Sequence, residues 1–379
     1  MLQHTCDALL LREEAWFEIM LLRTNTAKEI KGGISAVMCA ILEVFFQKHD
    51  LRTAGISLQL YNGERAHLWF EMGPLISDEV AMHMLYTCKG AGGLKPCLLC
   101  MNVFNSNFRK EGIEAVDTDG WSVFHQHHEH GDFKLHTKGT ITRVIARLSA
   151  PMTKKALQDL ETNLGWNHAP HGVMHHSLRD AIHPVDHALF DWMHVFFVNG
   201  IFNVLVWAML KGLQPHGITI ENIHTYVDAW KLPKKLGGKA GSVADIFTQD
   251  RWAGSNEVRH LKCSASQGLT VMSILACFMV AILEGVRGAA EKAHARVYLL
   301  CVHMVELLKR SAREHVSADG YNAVASAFLK AFAELYGNNL MTPKFHSCMH
   351  FGWFINKWTR LPNCFCLERK HKMPKRWPL

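Results

Sequence analysis

The sequence predicts a short mixed α/β part followed by a long, mostly helical remainder. Three observations carry this expectation. Apolar residues make up 49% of the 379 positions, enough for one large core or two to three modest domains and too many for a disordered chain. Apolar and polar residues alternate in only one stretch, Ile56 to Met72. From Pro184 onward apolar positions recur at helical spacing with few breaks.

Taken in order, residues 8 to 50 read as helix. Trp16, Ile19, Met20 and Arg23 share a face, Gly32-Gly33 interrupts it, and Ser35 is placed to cap a second helix through Phe46. Ile56, Leu58 and Leu60 then alternate with polar neighbours, Asn62-Gly63 supplies turn chemistry, and His67 to Met72 follows as a second apolar run. This is the one strand pair the pattern supports. Lys89 to Pro96 (KGAGGLKP) is a loop by composition, and it delivers the chain to Cys97. Gly112 to Thr140 is polar and His-rich, so it reads as exposed and irregular, and Thr142 to Leu164 returns to helical spacing. The helical remainder is broken at Leu232 to Ser242, Val316 to Gly320 and Gly337 to Pro343. No repeat or low-complexity tract is present in the sequence.

Charge and cysteine usage narrow the setting. Lys and Arg number 41 against 34 Asp and Glu, a net +7, and Cys366 to Leu379 alone hold five basic and one acidic residue, or +4. More than half of the excess therefore sits in a tail. Eleven cysteines at irregular spacing, with Asp7, Arg12, Glu13 and Glu14 interrupting any apolar leader, argue for a reducing, intracellular compartment without structural disulfides. Two uncharged runs, Trp192 to Leu210 and Cys263 to Leu283, carry enough polar residues to be expected as buried core helices, with no membrane partner.

Several residues bear on chemistry. Cys97 and Cys100 form C-x-x-C after a glycine-rich loop, a spacing that lets two thiolates approach one zinc ion at ~2.3 Å. One pair is a half-site, and plain thiols or a redox pair are the competing readings. Asp191 and His194 at i, i+3, and His346 and His350 at i, i+4, would each share a helix face and could complete it. With 25 His in the chain such pairs also arise by chance, and the clusters His125, His127, His128, His130 and His171, His175, His176 read as solvated loops. Asp78 follows the apolar strand region, and Glu368 lies among basic residues in CFCLERKHK. Two-metal cutting of nucleic acid uses about three carboxylates. On composition alone these two are a strand-end turn residue and a surface acid. The basic runs Lys231 to Lys239 and Arg369 to Arg376, with Lys234, Lys235, Arg369, Lys370 and Lys372, suit phosphate contacts or simple solvation.

Several strings taken together resemble one family. ISDEVAMHMLYTCKGAGGLKPCLLC (Ile76 to Cys100) resembles the block in CACTA-like and Kyakuja-Dileera-Zisupton transposases where an aspartate near a strand end precedes C-x-x-C. HGVMHHSLRD (His171 to Asp180) and FDWMHVFFVNGIFN (Phe190 to Asn203) resemble their D-x-x-H block, and KCSASQGL (Lys262 to Leu269) their helical insertion. TPKFHSCMHFGWFINKW (Thr342 to Trp358) and CFCLERKHK (Cys364 to Lys372) resemble the His-rich block and the glutamate-bearing helix.

The resemblance implies an incomplete RNase H-like catalytic core of few strands with a long, mostly helical insertion. Asp78 would match the second catalytic aspartate and Glu368 the glutamate. Cys97, Cys100, Asp191 and His194 would match the C-x-x-C and D-x-x-H motifs, with His194, His346 and His350 competing to complete a structural zinc site. Mg²⁺ or Mn²⁺ would serve catalysis in the intact family, DNA would be the partner, and the nucleus the location, with a homo-oligomer possible. The expected divisions are residues 1–110 (partial core with C-x-x-C), 111–340 (insertion) and 341–379 (His-rich block and final helix).

The first catalytic aspartate has no match, because the chain opens on helix and Asp7 is a weak substitute. Both ends read as clipped, the family's DNA-binding region included. The expectation is therefore a transposase relic, its enzyme status open and strand transfer expected to be lost. A non-catalytic, zinc-stabilised module that binds nucleic acid or protein is the alternative. A hydrolytic metalloenzyme lacks the H-E-x-x-H motif it would need.

Overall fold

The computed structural model describes residues 24–105, 122–123, 129–232, 241–248, 251–254, 259–362 and 364. They form two compact units, each assembled from more than one stretch of chain. Among the described residues helix dominates, and the strands make four two-stranded sheets.

The unit built from Phe17–Val123 and Phe133–Phe190 opens on α1 (Thr24–Glu29) and α2 (Gly33–Leu42), the latter running into a π-helical turn at Glu43–Lys48. Ser35 does not cap α2, as its spacing predicts. Gly32 takes that place at φ 91, where a side chain would be strained, and Ser35 lies fully buried inside the helix. Its hydroxyl donates to Leu85 O at 2.6 Å and accepts from Val173 N at 2.8 Å, joining three segments. Ser35→Ala leaves both buried backbone groups without that partner, so we expect a loss of about 2 kcal/mol, read as a shifted urea midpoint at unchanged slope.

The expected hairpin is present. β1 (Ile56–Gln59) pairs antiparallel with β2 (Arg65–Leu68), Ile56 opposite Leu68. It is not the only pair. β3 (Leu75–Ser77) runs parallel to β6 (Ala188–Phe190), with Ser77 opposite Phe190. β4 (Val103–Phe104) likewise runs parallel to β5 (Ser122–Val123). Strands of two or three residues are too short for alternation to show.

Between β3 and β6 the chain makes α3 (Glu79–Tyr86), α4 (Lys138–Leu148) and α5 (Lys154–Leu164), and the short α6 (Pro184–His187) leads into β6. The single helical stretch expected from Thr142 to Leu164 is thus two helices, split by Ser149 to Thr153 with Pro151 among them. Tyr86 OH donates to Ile182 O at 2.7 Å, and Lys138 pairs with Asp186 at 2.7 Å.

His183, 2% exposed, caps α6. Burial lowers its pKa to about 4, opposed by Asp186 and assisted by Lys138. A neutral buried imidazole stabilises fully above the unfolded value near 6.5, and the benefit drains away as pH falls towards 4. The shift corresponds to about 3 kcal/mol. His183→Asn should therefore flatten the pH dependence of urea stability between about pH 6.5 and 4. An unchanged slope would mean that His183 is already charged in the fold.

The other unit, built from described residues of Phe124–Asp132 and Asp191–Leu379, is helical. The apolar run from Trp192 is split into α7 (Trp192–Phe197) and α8 (Ile201–Leu213) at Asn199, whose φ of 48 no regular helix holds. α9 (Ile220–Asp228) and α10 (Gly241–Ala244) precede a hairpin of β7 (Trp252–Gly254) and β8 (Arg259–Leu261), to which Asn203 Nδ2 donates at Leu261 O, 2.8 Å. α11 (Ala265–Glu284), α12 (Ala289–Ser311) and α13 (Ala318–Tyr336) pack in succession, with Tyr298 OH donating to Met272 O at 2.9 Å. Ser264 and Gln267 make a reciprocal capping box on α11. α14 (Pro343–Ser347) and α15 (His350–Trp358) lie against this core, Phe345 meeting Phe332 at 4.7 Å and Phe351 meeting Phe196 at 6.4 Å.

By length and composition, Trp192–His216 and Ala265–Glu284 are apolar enough to cross a membrane, the first 78% and the second 39% buried within the protein.

Candidate metal centre

The C-x-x-C is presented by a knuckle rather than by a helix. Leu99 N donates to Cys97 Sγ at 3.3 Å, a contact that favours a thiolate. His136 N donates to Leu99 O at 2.7 Å and Met101 N to Lys134 O at 2.9 Å, tying the turn to residues 134–136. The preceding glycine-rich loop rests on α5, with Lys89 N donating to Gly165 O and Leu94 N to Thr162 O. Both cysteines are buried, Cys100 completely. Burial, then Cys97, pushes the Cys100 thiol well above its ordinary pKa. His136 beside them is lowered to about 4, by burial first and then by Lys95.

The second pair comes from α14 and the first residue of α15. His346 and His350 are 3% and 1% exposed, and their Nε2 atoms stand 3.1 Å apart. His130 is lowered in pKa by burial and then by these two rings, so it is not the solvated loop residue its cluster predicts. His125, His127 and His128 lie outside the described residues. His175 and His176 are half-buried and bonded to Ser149 and Glu43, and His171 is exposed.

Cys97 and Cys100 belong to one unit and His346 and His350 to the other, and all four residues are buried. Two thiols or two imidazoles are each half of the donor set of a closed tetrahedral zinc site. Zn–N bonds of ~2.05 Å place two ligand nitrogens about 3.3 Å apart, close to the 3.1 Å between the His346 and His350 rings. Each pair fits half of such a site.

Asp191 and His194 lie together with Cys364 in one cluster of possible metal donors. Asp191 is 1% exposed and caps α7, its Oδ2 accepting from His194 N at 3.2 Å and lying 2.5 Å from His194 Nδ1. Its Oδ1 accepts from Cys364 N at 3.0 Å. Cys364 carries no role in the sequence reading, although it opens the C-F-C string whose glutamate was singled out.

Asp78 directly follows β3, at its C-terminal end, as expected. It also caps α3, Oδ1 accepting from Ala81 N at 2.6 Å. Glu368, Lys234, Lys235, Arg369, Lys370, Lys372 and Asp7 lie outside the described residues. Cys39, Cys88, Cys263, Cys277, Cys301 and Cys348 are free thiols.

Comparison with family models, with curated proteins and with solved structures finds no match to this chain.

Proposed function

We propose that the chain is a transposase-derived domain of the CACTA-like and Kyakuja-Dileera-Zisupton type, held by zinc and bound to DNA in the nucleus, without strand transfer of its own. The observations that carry the reading are two buried donor pairs, Cys97 with Cys100 and His346 with His350. Both pairs lie in blocks singled out by the resemblance. The parallel β3 and β6 support an RNase H-like core, because Asp78 stands where such a core presents a catalytic carboxylate. In this reading Asp78 and Glu368 would be the carboxylates to hold a divalent cation, which in the intact family supplies charge stabilisation for phosphoryl transfer.

DNA affinity tests it. Five phosphate contacts from Lys234, Lys235, Arg369, Lys370 and Lys372 predict non-specific binding whose log K falls with log salt at a slope of about −4. Lys234→Glu with Lys235→Glu should flatten that slope by about two. No binding at low salt by zinc-loaded protein would end the proposal.

A second reading, a non-catalytic zinc-stabilised binding module, is favoured by the structural use of Asp78 as a helix cap. Asp78→Asn keeps a cap and removes the charge. Loss of Mn²⁺ binding in that variant supports the transposase reading, and unchanged Mn²⁺ binding supports the module.

A further inference from the structure

We infer that Asp191, His194 and Cys364 form a second metal site, distinct from the Cys97 and Cys100 pair, that takes a zinc-type divalent cation. Their ligand atoms lie within 4.8 Å of one another. The donors come from the end of β6, the first turn of α7 and a segment following α15, so the meeting is a product of tertiary folding and not of local spacing. Asp191 and Cys364 are 1% and 5% exposed, while the His194 side chain is 15% exposed.

The two oxygens of Asp191 divide their work. Oδ1 is held by Cys364 N at 3.0 Å, which also fixes the backbone of the third donor, and Oδ2 faces His194 Nδ1 at 2.5 Å. A proton occupies that gap in the metal-free protein. A metal ion takes its place once the pair opens to the ~3 Å that two ligands of one ion need, with the His194 proton on Nε2 and the Cys364 proton released to solvent. One carboxylate and one thiolate then balance the 2+ charge, so the bound site is neutral, as its burial requires. Lys344 Nζ steadies the helix by donating to His194 O at 3.1 Å and Val198 O at 2.5 Å. A mixed oxygen, nitrogen and sulfur set suits zinc and its cobalt surrogate. Three protein donors leave a position for water or another exogenous ligand, the arrangement of reactive zinc sites and not of closed structural ones.

Titration of the reduced, metal-free full chain with Co²⁺ tests the site. Two equivalents are expected. Cys364→Ser should lower the count to one and keep the stronger thiolate charge-transfer band of the two-cysteine cluster, whereas Cys97→Ser should keep the weaker one. If Cys364→Ser does not fold, His194→Asn is the replacement. A single equivalent abolished by Cys97→Ser and untouched by Cys364→Ser or His194→Asn would overturn the inference. A single equivalent with the reverse pattern would uphold it and leave Cys97 and Cys100 as plain thiols.

Discussion

Cys100→Ala should remove zinc from the C-x-x-C and cost more stability than any other change considered. The side chain is wholly buried and has no solvent route to compensation. Structural zinc sites contribute on the order of 10 kcal/mol in small domains, and a chain with a large apolar core of its own keeps part of its fold without one. A loss of about 5 kcal/mol is expected, with a fall in Tm of roughly 10 °C or more. Chelator treatment of the wild type should reproduce the shift, and excess zinc should reverse it. Wild-type protein whose Tm ignores chelator and whose mass shows no bound metal would reduce Cys97 and Cys100 to plain buried thiols.

Gly165→Ala should be the next most damaging change, for a reason visible only in three dimensions. Gly165 ends α5 at φ +76, and a Cβ there would stand 2.3 Å from the backbone oxygen of Lys95, two residues before Cys97. Backbone cannot swing aside as a long side chain would. Gly217→Ala is the control, since Gly217 has φ +78 in the same left-handed region but nothing within 4 Å of the added methyl. The control should lose about 1 kcal/mol, the cost of left-handed backbone alone. Gly165→Ala should lose about 3 kcal/mol or more, and it should also weaken metal affinity because the loop that carries the C-x-x-C must move. Equal losses in the two variants, with metal affinity intact, would show that the loop yields without consequence.

Parts of this architecture were legible in the residues. The hairpin announces itself through Ile56, Leu58 and Leu60 with Asn62-Gly63, and its register agrees. The candidate donors were visible as pairs, because C-x-x-C and an i, i+4 histidine pair are local patterns. Which residue joins a pair is a tertiary fact, and Cys364, beside Asp191 and His194, gave no local signal. The parallel pair β3 and β6 was illegible for a similar reason, since three residues each leave no periodicity and their pairing spans more than 100 positions. Ser35 shows the reverse error. Its neighbourhood to Gly32-Gly33 suggested a cap, yet burial made its hydroxyl more useful as a bridge between Leu85 and Val173.

The pairing of β3 with β6 also sets a timetable for synthesis. Ser77 leaves the ribosome 113 residues ahead of its partner Phe190. At ~5–20 residues per second that is a wait of roughly 6–20 s with the β3 edge unpaired. An open strand edge is a template for the wrong partner. Over that interval the nascent chain depends on holdase chaperones more than a protein built from sequential hairpins would, and slowing elongation before Phe190 should raise the fraction that aggregates.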